Sequence, residues 1–193
     1  MYEWGIKTWL KNLVWNQQPL SSAHYFKAET ENCQAEISFQ FVNTNNDHTL
    51  SFVNNIPTKD GGTHILGFKS ALLKIMNEIG KERDKIDKKI WEFQYSDVTD
   101  GLYGIVTVKI PEPQFEWQTK GRLGNSYVRG AVEDLTYEYL KGYFVENPEE
   151  FDRIFEKIDL AARARLAAKF AKETVLRKNA LSGGVLPGKL ADC

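Results

Sequence analysis

Several residue types on which whole protein classes depend are scarce in this sequence. The 193 residues include only two cysteines, Cys33 and Cys193, and only three histidines, none at metal-ligand spacing. These counts argue against a disulfide framework and against a metal site, and they fit a reducing compartment. No apolar run approaches the roughly 18 residues of a membrane span. The first residues are too aromatic for a signal peptide.

An overall excess of positive charge is also missing, since the formal net charge is −1. That value argues against bulk coating of nucleic acid, although it leaves room for a local basic surface. Charges separate towards the end of the chain: residues 133–157 carry eight acidic and three basic side chains, whereas residues 158–193 carry seven basic and three acidic ones. The basic side chains of the second, alanine-rich stretch either face an anion or belong to a solvated helix.

The pattern of apolar residues predicts a small sheet. Residues 35–43 alternate between apolar and polar, which is typical of a half-buried strand, and the polar turn after them predicts an antiparallel hairpin with residues 48–55. Residues 102–110 are mostly apolar and β-branched, which predicts a central strand. The strand-helix-strand passage from about residue 48 to residue 110 requires a crossover connection.

Helices are expected where apolar residues recur every three or four positions. Thr63 is the predicted N-cap of the second helix, and the last residues, with three glycines and a proline, are predicted not to be helical. Helices packed on a small sheet define an α+β fold. The predicted helices cover residues 5–16, 65–79, 125–145 and 149–178.

The chemistry that would mark a complete enzyme is missing as well. The sequence has no glycine loop followed by lysine and serine or threonine, and no recognisable arrangement of serine, histidine and acid. What remains is a polar loop that carries Gln118, Thr119 and Lys120. In an extended segment Gln118 and Lys120 would point the same way. Lys120 is then either a solvated surface lysine or a sensor for a terminal phosphate.

Four segments of the sequence carry recognisable motifs. They are "PEPQFEWQTKGRLGN", "SFVNNIPTKDGGTHILGFKSAL", "DVTDGLYGIVTVKIPEP" and "AARARLAAKFAKETVLRKNALSGGVLPGKLADC". These segments resemble the ATPase subunits of bacterial type IIA DNA topoisomerases and follow the family's order, and the resemblance spans about residue 5 to the C-terminus. The glycine after Lys120 makes the first segment more similar to the DNA gyrase B family than to its topoisomerase IV counterpart.

The resemblance implies which part of such a protein this is. The family's nucleotide-binding glycine motifs and its acidic metal-binding motif have no match here, so the chain resembles the transducer domain between them. That domain is expected to have the fold of the second domain of ribosomal protein S5. This fold has a small mixed sheet, helices on one face, a left-handed strand-helix-strand crossover and a long C-terminal helix. The implied divisions are a core at 1–147, the long helix at 148–178 and a linker at 179–193.

The resemblance also implies the site residues. Gln118 and Lys120 match the loop that reaches the γ-phosphate of ATP held by the neighbouring ATPase domain, with Lys120 as the catalytic and sensing cation and Thr119 shaping the loop. ATP and Mg²⁺ are expected as cofactors of the full-length protein, with neither bound by this part alone and no metal ligand within it. The helix residues expected to face DNA are Arg163, Arg165, Lys169 and Arg177.

Partners and location follow from the same resemblance. Gyrase A subunits in an A₂B₂ complex, a second copy bound through the ATPase domain, and double-stranded DNA are expected, with no membrane. The activity of the full-length protein would be ATP-driven DNA supercoiling, with this part inactive alone. The expected location is the bacterial cytoplasm, or alternatively a plastid or other organelle. Two alternatives stay open: a topoisomerase IV transducer, and a stand-alone S5-like RNA-binding module.

The sequence departs from the family pattern at several positions. Trp4 and Trp117 stand where glycine is usual, Tyr127 where glutamate is frequent, and Thr99 and Asp100 in place of an Arg-Glu pair. Trp117 is part of the loop itself, so a tryptophan in place of glycine there is expected to alter the flexibility of the loop.

Overall fold

A single mixed sheet organises the chain in this computed structural model, which describes residues 5–83, 92–116 and 118–182. The strand order is β1-β2-β5-β3-β4, and only β3 and β5 run parallel to each other. The strands are β1 (His24–Thr30), β2 (Cys33–Phe41), β3 (His48–Val53), β4 (Ile56–Pro57) and β5 (Leu102–Lys109).

Five helices complete the described part of the chain. Three of them are long enough to pack as layers or to extend beyond the sheet. None of the described helices is long and apolar enough to cross a membrane. The helices are α1 (Gly5–Leu13), α2 (Thr63–Glu82), α3 (Tyr95–Val98), α4 (Ser126–Glu146) and α5 (Pro148–Ser182).

The central strand and the crossover are confirmed. β5 pairs with β2 on one side and with β3 on the other, and seven of its eight residues are buried. Helix α2 lies in the connection between the parallel strands β3 and β5. The left hand of this crossover stays a prediction.

The predicted hairpin is wrong. Strand β2 does not pair with β3; it pairs with β1 across a two-residue turn and with β5 on its other edge. Strand β3 instead turns back on β4 through Asn54 and Asn55, both with positive φ, as two-residue hairpins require. The local turn after β2 could not decide the pairing, because the strongly apolar β5 needs cover on both faces and takes the place between β2 and β3.

The prediction of helices on one face is also wrong. Residues alternate along β5: Val106 and Val108 join the core under α2 and α4, whereas Tyr103 and Ile105 join a second cluster with α1. Helix α1 therefore covers the opposite face of the sheet. Ile6 and Leu10 of α1 are buried there, as their helical spacing predicts.

Helix α5 divides into a packed half and an exposed half. Pro148 opens the helix directly after Asn147, a position that suits proline because its missing N–H has no partner there anyway. Up to Ala162 the helix contributes buried residues to the main core, and from residue 167 onwards its described side chains are mostly exposed. The division into core, helix and linker stays a prediction, and residues 183–193 lie outside the described part.

Candidate nucleotide-contacting loop

The loop between β5 and α4 is closed at its base by backbone hydrogen bonds. The Glu116 N–H donates to the Arg122 carbonyl at 3.1 Å, and the Gly124 N–H donates to the Gln114 carbonyl at 2.8 Å. Phe115 faces Leu123 in an isolated antiparallel bridge. Residues 118–121 are consequently presented at the tip of a short hairpin.

A second set of bonds joins this loop to the segment before α2. Leu123 donates from its N–H to the Gly61 carbonyl at 3.2 Å and accepts at its carbonyl from the Thr63 N–H at 3.1 Å. The Asp60 N–H donates to the Gly121 carbonyl at 2.9 Å. The loop therefore rests on residues 60–63, a contact that the sequence did not predict because the two segments are about 60 positions apart.

The prediction that Thr63 is the N-cap of α2 is also wrong, because the loop that shapes the start of this helix is distant in sequence. Gly62 is the N-cap, Thr63 is the first helical residue, and no side chain caps the helix. The Thr63 Oγ1 atom is buried and has no hydrogen-bond partner among the described residues. The helix start is shaped by the neighbouring loop rather than by a capping hydroxyl.

Asn125 is a loop residue that sequence reasoning missed. It stands at the N-cap position of α4, but its side chain accepts from the Gln114 N–H at 2.7 Å and donates to the Glu112 carbonyl at 3.0 Å. The side chain is buried, and each buried polar group that finds a partner avoids a penalty of about 1–3 kcal/mol. Asn125 thus ties the first part of the loop to the start of α4.

Gln118, Thr119 and Lys120 are all exposed at the tip. They do not form the extended segment in which Gln118 and Lys120 would point the same way, because Gln118 and Thr119 lie in a turn and Lys120 has a φ of 55°. That left-handed conformation costs a residue with a Cβ roughly 1–2 kcal/mol. Strain of this kind persists only where the surroundings impose it, and here the pinned base of the loop does so.

The charges of the loop leave Lys120 as its available cation. Arg122 Nε lies 3.2 Å from Glu116 Oε2, so this arginine is paired across the base of the hairpin. Lys120 forms no ion pair with any residue in the described ranges. Trp117 lies outside the described residues, so its effect on the loop stays an open expectation.

The residues expected to face DNA differ in how they are engaged. Arg165 donates from Nε and Nη2 to the two carboxylate oxygens of Asp97 at 2.8 Å each, and the Asp97 side chain is almost fully buried. Asp97 raises the pKa of Arg165. Arg163 pairs with Asp159 at 2.7 Å. The role of these residues towards DNA stays a prediction.

Lys169 and Arg177 lie on the exposed half of α5 and make no ion pair within the described part of the chain. Within that part, no group of three or more His, Cys, Asp or Glu side chains could hold a metal ion. Among the described residues, the predicted site residues without an ion-pair partner thus lie at the loop tip and on the exposed end of α5.

Two solved structures have this architecture. The 43K ATPase domain of gyrase B from Thermus thermophilus, solved with an aminocoumarin, superposes with a TM-score of 0.78 at 33% identity, covering 89% of this chain and 46% of that one. The ATP-binding domain of topoisomerase IV from Francisella tularensis gives 0.75 at 25% identity, covering 86% and 44%. The fold thus places the chain in the class represented by the ATPase regions of these topoisomerases.

Sequence comparison identifies the family to which the chain belongs within this class. The chain is 43% identical to the DNA gyrase B protein of Campylobacter jejuni over 192 residues, and 43% identical to that of Treponema denticola over 196 residues. In both cases all of this chain is covered, but it spans only 25% and 31% of those relatives. The family model for DNA gyrase B matches residues 5–174. The chain belongs to the DNA gyrase B family.

Proposed function

We propose that this chain is the transducer part of a gyrase B protein, which couples ATP binding and hydrolysis in a neighbouring ATPase domain to DNA supercoiling. The observation that carries the proposal is the loop tip. Gln118, Thr119 and Lys120 are exposed on a hairpin whose base is pinned, and Lys120 carries a charge without an ion-pair partner among the described residues.

The tip has the chemistry to contact a phosphate that another domain holds. A lysine ammonium is a compact charge with three rotatable donors, and the glutamine amide can both donate and accept. A charge-assisted hydrogen bond to a phosphate oxygen contributes about 1.5–3 kcal/mol. If that contact forms only when the γ-phosphate is present, it shifts the population towards the closed state by the same amount.

The described residues offer a contact to bound ATP but do not form a complete ATP-binding site. They supply a cation and an amide, whereas Mg²⁺ would be held by residues elsewhere in the full-length protein. When bound, ATP and Mg²⁺ supply the phosphoryl group and the metal that neutralises its developing charge. The role of Gln118 and Lys120 is to bind and orient the terminal phosphate.

Helix α5 is the element proposed to transmit the motion of this unit towards DNA. Its first half is buried in the core, so it moves with the sheet, and its second half projects exposed basic residues. A rigid-body rotation of this unit would carry the end of α5 with it. The proposed partners are gyrase A in an A₂B₂ complex, a second copy bound through the ATPase domain, and double-stranded DNA, in the bacterial cytoplasm.

The test is Lys120→Ala in the full-length protein. ATP hydrolysis should fall about 10- to 100-fold, which corresponds to the loss of a contact of about 1.5–3 kcal/mol, and ATP-dependent supercoiling should fall with it. Lys27→Ala is the matched control, because Lys27 is an exposed lysine on strand β1. Normal hydrolysis and supercoiling by Lys120→Ala would refute the proposal.

Two further measurements separate the alternatives. Relaxation without supercoiling by the reconstituted holoenzyme would favour a topoisomerase IV protein, to whose ATP-binding domain the fold is also similar. Calorimetry on the 193-residue chain should detect no tight ATP binding. Because the chain belongs to the DNA gyrase B family, no observation favours the alternative of a stand-alone S5-like RNA-binding module.

A further inference from the structure

The segment Asp60, Gly61, Gly62, Thr63 and His64, here called the platform, is the surface on which the loop rests. At Gly62 the contact is so close that only glycine fits. A Cβ at this position would lie 2.5 Å from the backbone nitrogen and 2.6 Å from the backbone oxygen of Leu123. Gly62 also has a φ of 139°, a conformation that residues with a Cβ rarely adopt.

Gly61 differs from Gly62 in the space beside its backbone and in the value of its φ. It too has a positive φ, 73°, but a Cβ there would meet nothing closer than the Ile65 side chain at 3.9 Å. A substitution at Gly61 therefore brings backbone strain without displacing the loop. The pair separates the effect of strain in the platform from the effect of its contact with Leu123.

A buried polar network fixes the platform from below. His64 is fully buried, and its Nε2 lies 3.2 Å from Thr58 Oγ1. Thr58 Oγ1 is 2.7 Å from Ser51 Oγ, which also donates to the Thr58 carbonyl at 2.8 Å. The network joins the first turn of α2 to strand β3, so the platform cannot shift without breaking buried hydrogen bonds.

The platform also meets the loop at Gly121, the residue after Lys120. A Cβ on Gly121 would lie 2.3 Å from Asp60 Oδ2, so the Asp60 carboxylate occupies the space beside this backbone. The residues on both sides of the tip are thus held: Glu116 and Arg122 across the hairpin, and Gly121 by Asp60. Lys120 is exposed, but the peptide that carries it is not free.

We infer that Gly62 and His64 are positioning residues for Lys120: they set where the loop tip stands, and so whether the lysine reaches the terminal phosphate. This inference rests on the proposed function of Lys120 and goes beyond it. Neither residue touches the nucleotide; both act through Leu123, Gly121 and the left-handed backbone of Lys120.

The kinetic test uses Gly62→Ala in the full-length protein. Displacing a catalytic group by about 1 Å can cost on the order of 10²-fold in rate, and because Gly62 acts through Lys120, kcat should fall by no more than the roughly 10- to 100-fold expected of Lys120→Ala. KM for ATP should be unchanged, because the loop does not form the main nucleotide pocket. Gly61→Ala, which strains the platform without entering the space of Leu123, should lower kcat less than Gly62→Ala. Gly130→Ala is the unstrained control, because Gly130 is exposed on α4 and a Cβ there meets nothing. Equal loss of kcat in Gly61→Ala and Gly62→Ala would overturn the inference in favour of general backbone strain.

A double variant separates positioning from an independent structural effect. Gly62→Ala combined with Lys120→Ala should be no slower than Lys120→Ala alone, because the glycine acts through the lysine. Multiplied losses would overturn the inference. If Lys120→Ala is impaired and Gly62→Ala is normal, only this inference fails; if Lys120→Ala is normal, the proposed function fails.

Hydrogen exchange gives a readout that needs no nucleotide. In the 193-residue chain, Gly62→Ala should accelerate exchange of the Leu123 and Asp60 amides, which bond across the platform, and leave the β5 amides protected. Thr58→Val provides a second variant should Gly62→Ala fail to fold: it removes the hydroxyl beside His64, and it should lower kcat less and in the same direction. Unchanged exchange and unchanged kcat in Thr58→Val would count against the network's role.

Discussion

The loop at residues 114–124 and helix α5 each have an anchored part and an exposed part, but they are anchored by different chemistry. The loop is held by backbone hydrogen bonds and by a glycine contact that admits no side chain. Helix α5 is held by apolar packing and by four polar side chains, Glu150, Asp152, Lys157 and Arg165.

The difference lies in what can release each element. Backbone bonds carry no net charge and the ion pair across the base of the loop is half-exposed, so the position of the loop should depend mainly on glycine identity and little on salt. Two of the clamps of α5 are ion pairs, Lys157 with Asp100 at 3.0 Å and Arg165 with Asp97, and in another the Glu150 carboxylate lies 2.9 Å from His24. Helix α5 should therefore respond to pH and to removal of a single charge. Measurements of the free energy of unfolding test this difference between the loop and α5.

The largest effect is expected in the packed half of α5. Phe151 is fully buried, with its ring 5.3 Å from that of Phe144 and beneath the Arg83 guanidinium. Phe151→Ala should lower the free energy of unfolding by about 3–5 kcal/mol through the cavity it leaves. Phe170→Ala, at a residue that is 64% exposed, should stay within about 0.5 kcal/mol. Urea unfolding of both variants measures the contrast, and equal losses would show that the two halves are packed alike.

Acid should weaken the two regions in different pH ranges. Burial lowers the pKa of His64, beneath the loop, from 6.5 to about 4. Between these values the unfolded chain binds the proton and the folded one does not, so stability falls as pH falls from 6.5 to 4, by about 3 kcal/mol at 1.36 kcal/mol per pKa unit.

At Glu150 of α5, burial would raise the pKa, but hydrogen bonds with His24 and Ser22 outweigh it and lower the pKa from 4.5 to about 2. The stability that Glu150 contributes is present above pH 4.5 and is lost as pH falls to 2. Unfolding curves across pH should lose the first slope in His64→Asn and the second in Glu150→Gln. An unchanged pH profile in either variant would contradict the assignment.

Removing one charge of a buried clamp should have a smaller effect. Asp97→Asn leaves Arg165 without its carboxylate, and because the Arg165 side chain is 26% exposed, we expect a loss of about 2 kcal/mol, below the 3–5 kcal/mol of a fully buried pair. Asp159→Asn is the comparison variant, since its partner Arg163 is 58% exposed, and it should cost no more than about 0.5 kcal/mol. Chemical denaturation measures both losses, and a larger loss of unfolding free energy in Asp159→Asn than in Asp97→Asn would contradict this prediction.

The smallest effect on stability is expected at the exposed end of α5. Lys169→Ala and Arg177→Ala should each change the free energy of unfolding by less than about 0.5 kcal/mol. Their proposed effect is on DNA: in the full-length protein each loss of a phosphate contact should reduce the salt dependence of binding by about one unit of slope. Lys27→Ala serves again as the control, and a slope that stays constant would remove both residues from the DNA interface.

Local patterns were sufficient for helices α1, α2, α4 and α5 and for strands β2, β3 and β5, but they did not predict α3, β1 or β4. Ile6 and Leu10 at helical spacing predicted the buried face of α1, and the apolar run of β5 predicted its central place. The hairpin of β2 with β3 and the Thr63 cap were wrong, because each depends on a partner that is distant in sequence. Leu123 against Gly62 is the clearest case: no signal near either residue shows that the other will lie there.

By itself, the sequence determined four of the five described helices, three of the five described strands, and the residues that mark the DNA gyrase B family. These follow from periodicity and from motifs, both of which are local. The strand order, the second covered face of the sheet, the platform beneath the loop and the pairing of Arg165 with Asp97 were decided only by tertiary structure. They depend on which buried surfaces meet, and that is settled by packing the whole core at once.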